Sequence, residues 1–198
     1  MAAYKGRCVG VEWGGTGVFR LIPAFCLVFR FIFSYSMISI IVCVAKDGAI
    51  GNKGGLLYHL RADLRRFKEL TTGHTVVMGR KTFLSLPKGA LPNRRNIVLT
   101  HSDAQFSGTE TFHSLEEALA SCGEEEHVYI IGGSSVYEEA LPLADELCLT
   151  LVDATPAEAD TFFPTYDPHQ WCETFRENHP ADEQNDQPFS FVTLRRCR

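Results

Sequence analysis

Asp63 stands near the start of a stretch in which Leu60, Leu64, Phe67 and Leu70 recur at helical spacing. An acid there has two readings. It is an ordinary favourable charge at the positive end of a helix dipole, or its two oxygens accept from two neighbouring N–H donors of a ligand. Gly79-Arg80-Lys81-Thr82 follows a β-branched run at 75–78 and precedes a short helical segment. Backbone N–H groups at such a start, with two basic side chains, suit a diphosphate; singly, Arg80 and Lys81 would be solvated charges. Gly132-Gly133 follows an apolar run at 128–131. A lone glycine pair marks a tight turn, and the pattern is not the Gly-x-Gly-x-x-Gly of dinucleotide-binding dehydrogenases. Arg94, after Leu91-Pro92-Asn93, offers a planar fork that pairs bidentately with a carboxylate; an isolated loop arginine is otherwise surface.

The elements that must position these groups are short and alternate in type. Residues 38–45 form a continuous apolar run that suits a strand buried on both faces. Next comes a glycine-punctuated loop at 47–57, then the amphipathic helix with Asp63. The run 75–78 is a strand, 87–92 is turn-rich, and 97–99 is another strand. Ser114 with Glu117 forms a capping box that opens a helix over 115–121. A strand at 128–131 leads to a helix that Ser134 or Ser135 can cap, and 147–152 is a further strand. From Phe189 onward the tail alternates like a strand near a sheet edge. Strands alternating with helices imply right-handed crossovers and a central, mostly parallel sheet. The antiparallel-looking tail makes it mixed. The fold class expected is α/β, one domain over 37–198.

Composition agrees with a globular protein: 45% hydrophobic and 22% charged residues, with a mean hydropathy of −0.05. A net charge of −5 argues against a nucleic-acid partner, while leaving room for a local basic pocket. The seven cysteines are irregularly spaced and contain no Cys-x-x-Cys pair. Neither a metal site nor a disulfide framework is indicated, and reduced cysteines in a cytoplasmic protein are expected. Residues 1–36 read differently, because 18–35 is apolar and aromatic but carries Arg20 and Arg30. A mistaken upstream start is the expectation, with a membrane anchor or an added packing element as the alternatives. The strand opened by Met37 is complete without them.

Taken in order, these pieces resemble dihydrofolate reductase of the bacterial type. The resemblance rests on Val77-Met78-Gly79-Arg80-Lys81-Thr82, on Leu91-Pro92-Asn93-Arg94-Arg95-Asn96-Ile97-Val98-Leu99-Thr100, and on Ile130-Ile131-Gly132-Gly133-Ser134-Ser135-Val136-Tyr137. Leu149-Thr150 and Asp160-Thr161-Phe162-Phe163-Pro164 complete it. It covers the chain from Met37 onward and implies a single-domain, monomeric enzyme that reduces dihydrofolate with NADPH to supply one-carbon metabolism. Asp63 then matches the acid that binds the pterin, with Thr150 hydrogen-bonded to it. Tyr58 stands where the family more often has Trp, after Leu57 where Pro is frequent; a water ordered by its hydroxyl is the role implied. Ile41, Cys43, Leu64, Phe67, Leu91 and Ile131 match the substrate wall, and Arg94 matches the residue that takes the folate glutamate.

The cofactor side implied by the resemblance comprises Val44, Ile50, Gly51, Gly79, Arg80, Lys81, Thr82, Leu99, Thr100, His101, Ile131, Gly132, Gly133, Ser134, Ser135, Val136 and Tyr137. Arg80 with Thr100 and His101 matches the pocket for the 2′-phosphate, although Ser135 replaces a basic residue frequent in the family. The glycine pair implies a cis peptide. The loop at 47–57 is expected to be mobile and to close against the segment carrying Asp160. Two alternatives stand beside this reading: an NADPH-dependent aminopyrimidine reductase of riboflavin synthesis on the same fold, and a membrane-tethered folate- or NADP-binding protein without activity.

Overall fold

The structure, a computed structural model, describes residues 36–197; what was expected of the leading segment lies outside them. Eight strands form one sheet: β1 (Ile38–Ala45), β3 (Thr75–Gly79), β4 (Arg95–Leu99), β5 (Glu110–Phe112), β6 (Val128–Ile130), β7 (Glu146–Val152), β9 (Trp171–His179) and β10 (Phe189–Arg196). Their order across the sheet is β5-β4-β3-β6-β1-β7-β10-β9. All neighbouring pairs are parallel except β10, which runs antiparallel to both β7 and β9. Short β2 (Ala49–Gly51) and β8 (Thr161–Phe162) pair separately.

Because side chains alternate across a strand, β1 sorts its residues into two layers. Ile38, Ile40, Val42 and Val44 pack in one cluster with Leu115, Ala118, Val136 and Tyr137, from α3 (Leu115–Ala120) and α4 (Ser134–Ala140). Ile41 faces the other way, into a cluster with Phe83 of α2 (Arg80–Ser85) and Phe67 of α1 (Arg61–Thr71). The result is a sheet covered on both faces by helices, as the alternation of elements predicts.

The tail strand β10 lies near the sheet edge, as expected, one in from it; the edge is β9, whose sequence WCETFRENH is exposed along most of its length and presents no apolar run. Three expectations need correction. Neither Ser134 nor Ser135 caps α4: the N-cap is Gly133, and no side chain caps it. The Ser114 hydroxyl does accept from the Glu117 N–H, but the Glu117 carboxylate turns back to the N–H of His113 instead of that of Ser114. Finally, the cysteines are not all reduced. Cys172 and Cys197 form a disulfide with their Cα atoms 5.4 Å apart. Hairpin register makes this pair: Cys172 lies opposite Arg195, two residues from Cys197, a proximity that linear spacing does not reveal. Cys43, Cys122 and Cys148 are free thiols.

Candidate active site

Asp63 sits in the first turn of α1, over the sheet face shared by β1 and β7. The buried Thr150 of β7 donates its hydroxyl to Asp63 Oδ1 at 2.6 Å. Burial pushes the Asp63 carboxyl above the usual carboxylate range, opposed by the Thr150 hydrogen bond and by the charge of Arg66. Cys43, in register with Thr150 on the neighbouring strand, has its thiol pushed up by burial and by the Asp63 charge, so it stays neutral. Ile41, Phe67, Leu91 and Ile131 belong to one apolar cluster beside this carboxylate. Leu64, one residue past Asp63, is 45% exposed. A pocket wall with one open face has this character.

The start of α1 is held from far along the chain, a feature the sequence did not disclose. No side chain of its own segment caps it. Asn185 instead accepts from the N–H of Ala62 at 3.1 Å, and the Gln184 carbonyl accepts from the N–H of Arg61. Asp182 in turn takes both bonds of the Asn185 amide nitrogen. The turn that aims Asp63 is therefore fixed by the connection between β9 and β10.

Beyond the C-terminal ends of β3 and β6, two glycine turns meet backbone to backbone. The Gly79 N–H donates to the Gly132 carbonyl at 2.7 Å, and the Gly132–Gly133 peptide is cis. Gly132 has φ +126°, and a Cβ there would lie 3.3 Å from Thr82 Oγ1 and 3.5 Å from the Tyr137 hydroxyl. A Cβ on Gly79 would meet Val136 at 3.3 Å. The buried Tyr137 donates to the Ile41 carbonyl at 2.9 Å, which ties this junction to the strand that carries the substrate wall. Gly79 is in register with Leu99, so Arg80 and Thr100 emerge side by side. Arg80, Lys81 and His101 are exposed, while Thr100 is buried and bonded to Ser102. Nothing in the local sequence pattern marks Ser102 for this role.

The glycine loop is tied down in this structure. Asp160 Oδ2 accepts from the Lys53 N–H at 2.8 Å, and the Asp160 N–H donates to the Gly51 carbonyl. The pairing of β2 with β8 continues this attachment and holds Ile50 and Gly51 beside Val44 and the core. Lys53 takes a positive φ of 52° in the turn, and Leu56 at its far side is 73% exposed.

The family model for dihydrofolate reductase matches residues 37–196. The chain belongs to the dihydrofolate reductase family. It is 45% identical over 163 residues to dihydrofolate reductase type 3 of Salmonella typhimurium, spanning 82% of this chain and 99% of that one. It is 38% identical to the Bacillus subtilis dihydrofolate reductase over 157 residues, spanning 79% and 92% respectively. In solved structures it is similar to the Enterococcus faecalis dihydrofolate reductase, there complexed with NADP(H) and RAB-propyl. The TM-score is 0.76 at 39% identity, covering 83% of this chain and 99% of that one. The aminopyrimidine reductase alternative gains nothing from these relatives. For the tethered alternative, no described helix is long and apolar enough to cross a membrane.

Within that family frame the other expected site residues fall into place unevenly. Arg94 is half-buried and pre-aimed: its Nε donates to Thr71 Oγ1 at 2.8 Å and its Nη1 to the Pro92 carbonyl. Its guanidinium lies 5.8 Å from the Phe67 ring centroid. Tyr58 packs against the cluster of Leu60, Val152, Phe189 and Phe191, and its buried hydroxyl makes no hydrogen bond to a described residue. A 540 Å³ cavity is lined by Gly73, His74, Arg94, Arg95 and Glu126 at the N-terminal ends of β3 and β4. Arg94 reaches its rim, but Asp63 and the glycine junction lie elsewhere. Among the described residues no cluster could hold a metal ion.

Proposed function

We propose that this chain reduces 7,8-dihydrofolate to 5,6,7,8-tetrahydrofolate, with NADPH as reductant. When bound, NADPH supplies a hydride to C6, and N5 gains a proton from solvent. The observation that carries the reading is the Asp63–Thr150 pair, set in an apolar wall next to the glycine junction. Asp63 accepts from N3–H and the 2-amino group of the pterin together, a bidentate grip that a carboxylate suits. From that side it does not reach N5. Its work is electrostatic: a negative charge held in a poorly solvated wall favours the protonated substrate, which is the better hydride acceptor. Thr150 orients the carboxylate. Tyr58, whose hydroxyl makes no hydrogen bond among the described residues, orders a water. Ile41, Cys43, Leu64, Phe67, Leu91 and Ile131 enclose the ring.

The cofactor is assigned to the glycine junction because the backbone N–H groups of Arg80–Thr82 and Ser134–Val136, at the starts of the two helices that leave it, suit a diphosphate. Arg80, Thr100 and His101 take the 2′-phosphate. The enzyme acts as a monomer in the cytoplasm, without nucleic acid, and its domain begins at Met37. N-terminal sequencing of the native protein checks that start.

The direct test follows NADPH absorbance with dihydrofolate present, with and without a diaminopyrimidine antifolate. Oxidation that depends on dihydrofolate and is blocked by the inhibitor is expected. No oxidation would sink the assignment. Arg94→Leu should raise KM for glutamate-bearing dihydrofolate by about 10–100-fold, the loss of a charge-assisted pair, while leaving a bare dihydropterin little changed. Arg80→Ala should narrow the preference for NADPH over NADH by roughly tenfold; an unchanged ratio would remove Arg80 from the 2′-phosphate site.

A further inference from the structure

Arg66 lies one helical turn after Asp63, at a place where the amphipathic pattern alone suggests a solvated cation. The structure shows otherwise. Its Nη1 donates to the Leu149 carbonyl at 3.1 Å and its Nη2 to Thr193 Oγ1 at 3.3 Å. The guanidinium carbon stands 4.5 Å from the Phe191 ring centroid. Leu149 precedes Thr150, Phe191 is in register with Thr150, and Thr193 with Cys148. The cation is thus clamped onto the strand pair that carries the hydroxyl partner of Asp63. We propose that Arg66 is a positioning residue that sets the charge of the pterin pocket, holding Asp63 as a carboxylate and disfavouring any proton or cation bound against it. The proposal rests on the assignment of Asp63 to the pterin.

The neighbouring groups do not supply that charge. On β1, Cys43 stays a neutral thiol, and Ser39 is occupied by His127 and Glu146. On β7, the Cys148 thiol is pushed up to about 12 by burial and by Glu146. Glu146 itself is paired with Arg195 of β10 at 3.1 Å. On β9, Glu177 is exposed and lies 3.4 Å from His179. Tyr137 and Tyr58 have their hydroxyls pushed up, chiefly by burial, and stay neutral. Burial works against the charge of Arg66, but Asp63, Glu146 and Glu177 favour it, and a guanidinium remains protonated in proteins. The charge of Arg66 in turn lowers the pKa of Asp63 against the effect of burial. A cation near a poorly solvated carboxylate acts through a low effective dielectric, where one charge changes proton affinity by an appreciable factor.

The consequence has a sign that a simple strut would not produce. Removing the positive charge favours every species that brings a proton to the pocket. Arg66→Met should move the pH profile of the hydride-transfer step, measured by single turnover with deuterated NADPH, to higher pH. At pH 8 a 2,4-diaminopyrimidine, which takes up a proton when it pairs with a carboxylate, should bind on the order of tenfold tighter. Folate, with its neutral pteridine, should change little. Arg66→Lys should restore the parent behaviour. Should Arg66→Met fold poorly, Arg66→Gln keeps a donor for the Leu149 carbonyl and carries the same expectation. An unmoved pH profile, or diaminopyrimidine and folate weakening together, overturns the proposal. Asp63→Asn separates the two layers. If that variant leaves diaminopyrimidine binding intact, the pterin assignment has failed. If it abolishes binding and Arg66→Met has no selective effect, only the role of Arg66 has failed.

Discussion

Asp63→Asn is expected to lower the rate of dihydrofolate reduction at pH 7 by about 10²–10⁴-fold, with part of the loss regained in acid. Asparagine keeps the shape of the side chain and still offers an oxygen to the Thr150 hydroxyl, which now donates to Asp63 Oδ1 at 2.6 Å. What disappears is the negative charge that favours a proton at N5. In acid, solvent supplies that proton to the substrate without help. A rate close to the parent enzyme at pH 7 would remove Asp63 from the mechanism. The same substitution tests the energetics of the wall. Burial raises the Asp63 carboxyl above its unfolded value, so the folded state holds the proton more tightly. The stability this contributes is present below the unfolded pKa and is lost as pH rises through the folded one. At pH 7 the ionised carboxylate therefore costs stability. The variant should melt at a higher temperature than the parent at pH 7, and the gap should close as the pH is lowered through the carboxylate range. Thermal melts across that range, without ligand, read it directly.

Gly132→Ala should be nearly as damaging, for a steric reason. Its φ of +126° is one that residues with a side chain rarely adopt, and the added Cβ would press on Thr82 Oγ1. Backbone strain of this type costs on the order of 1–3 kcal/mol, before the junction moves to relieve it. Movement would carry the Gly79 N–H away from the Gly132 carbonyl and loosen Tyr137 from Ile41. An NADPH affinity reduced by about 100-fold, the full upper cost expressed in binding, together with a lowered melting temperature, is the expected result. Titration of nicotinamide fluorescence checks it. Parent-like affinity would mean that the cofactor does not approach this backbone.

The parts of the molecule legible in the sequence are those that local chemistry dictates. The apolar run of β1, the spacing of Leu60, Leu64, Phe67 and Leu70, and the Ser114 cap each follow from contacts within a few residues, and all are present. The ordered motifs also placed Asp63, Thr150, Arg94 and the glycine pair in one family. Tertiary structure decided the rest. The edge strand β9 is mostly polar because both of its side-chain faces are exposed along most of its length, so periodicity passes over it. The disulfide joins residues separated by 25 in sequence, brought together by hairpin register. The cap of α1 reaches 123 residues to Asn185, and the clamps on Arg66 reach 83 and 127 residues. Sequence alone determined which groups the chain owns and which short elements carry them. Only folding determined which charge sits beside Asp63, because that depends on strands far apart in the chain being laid side by side.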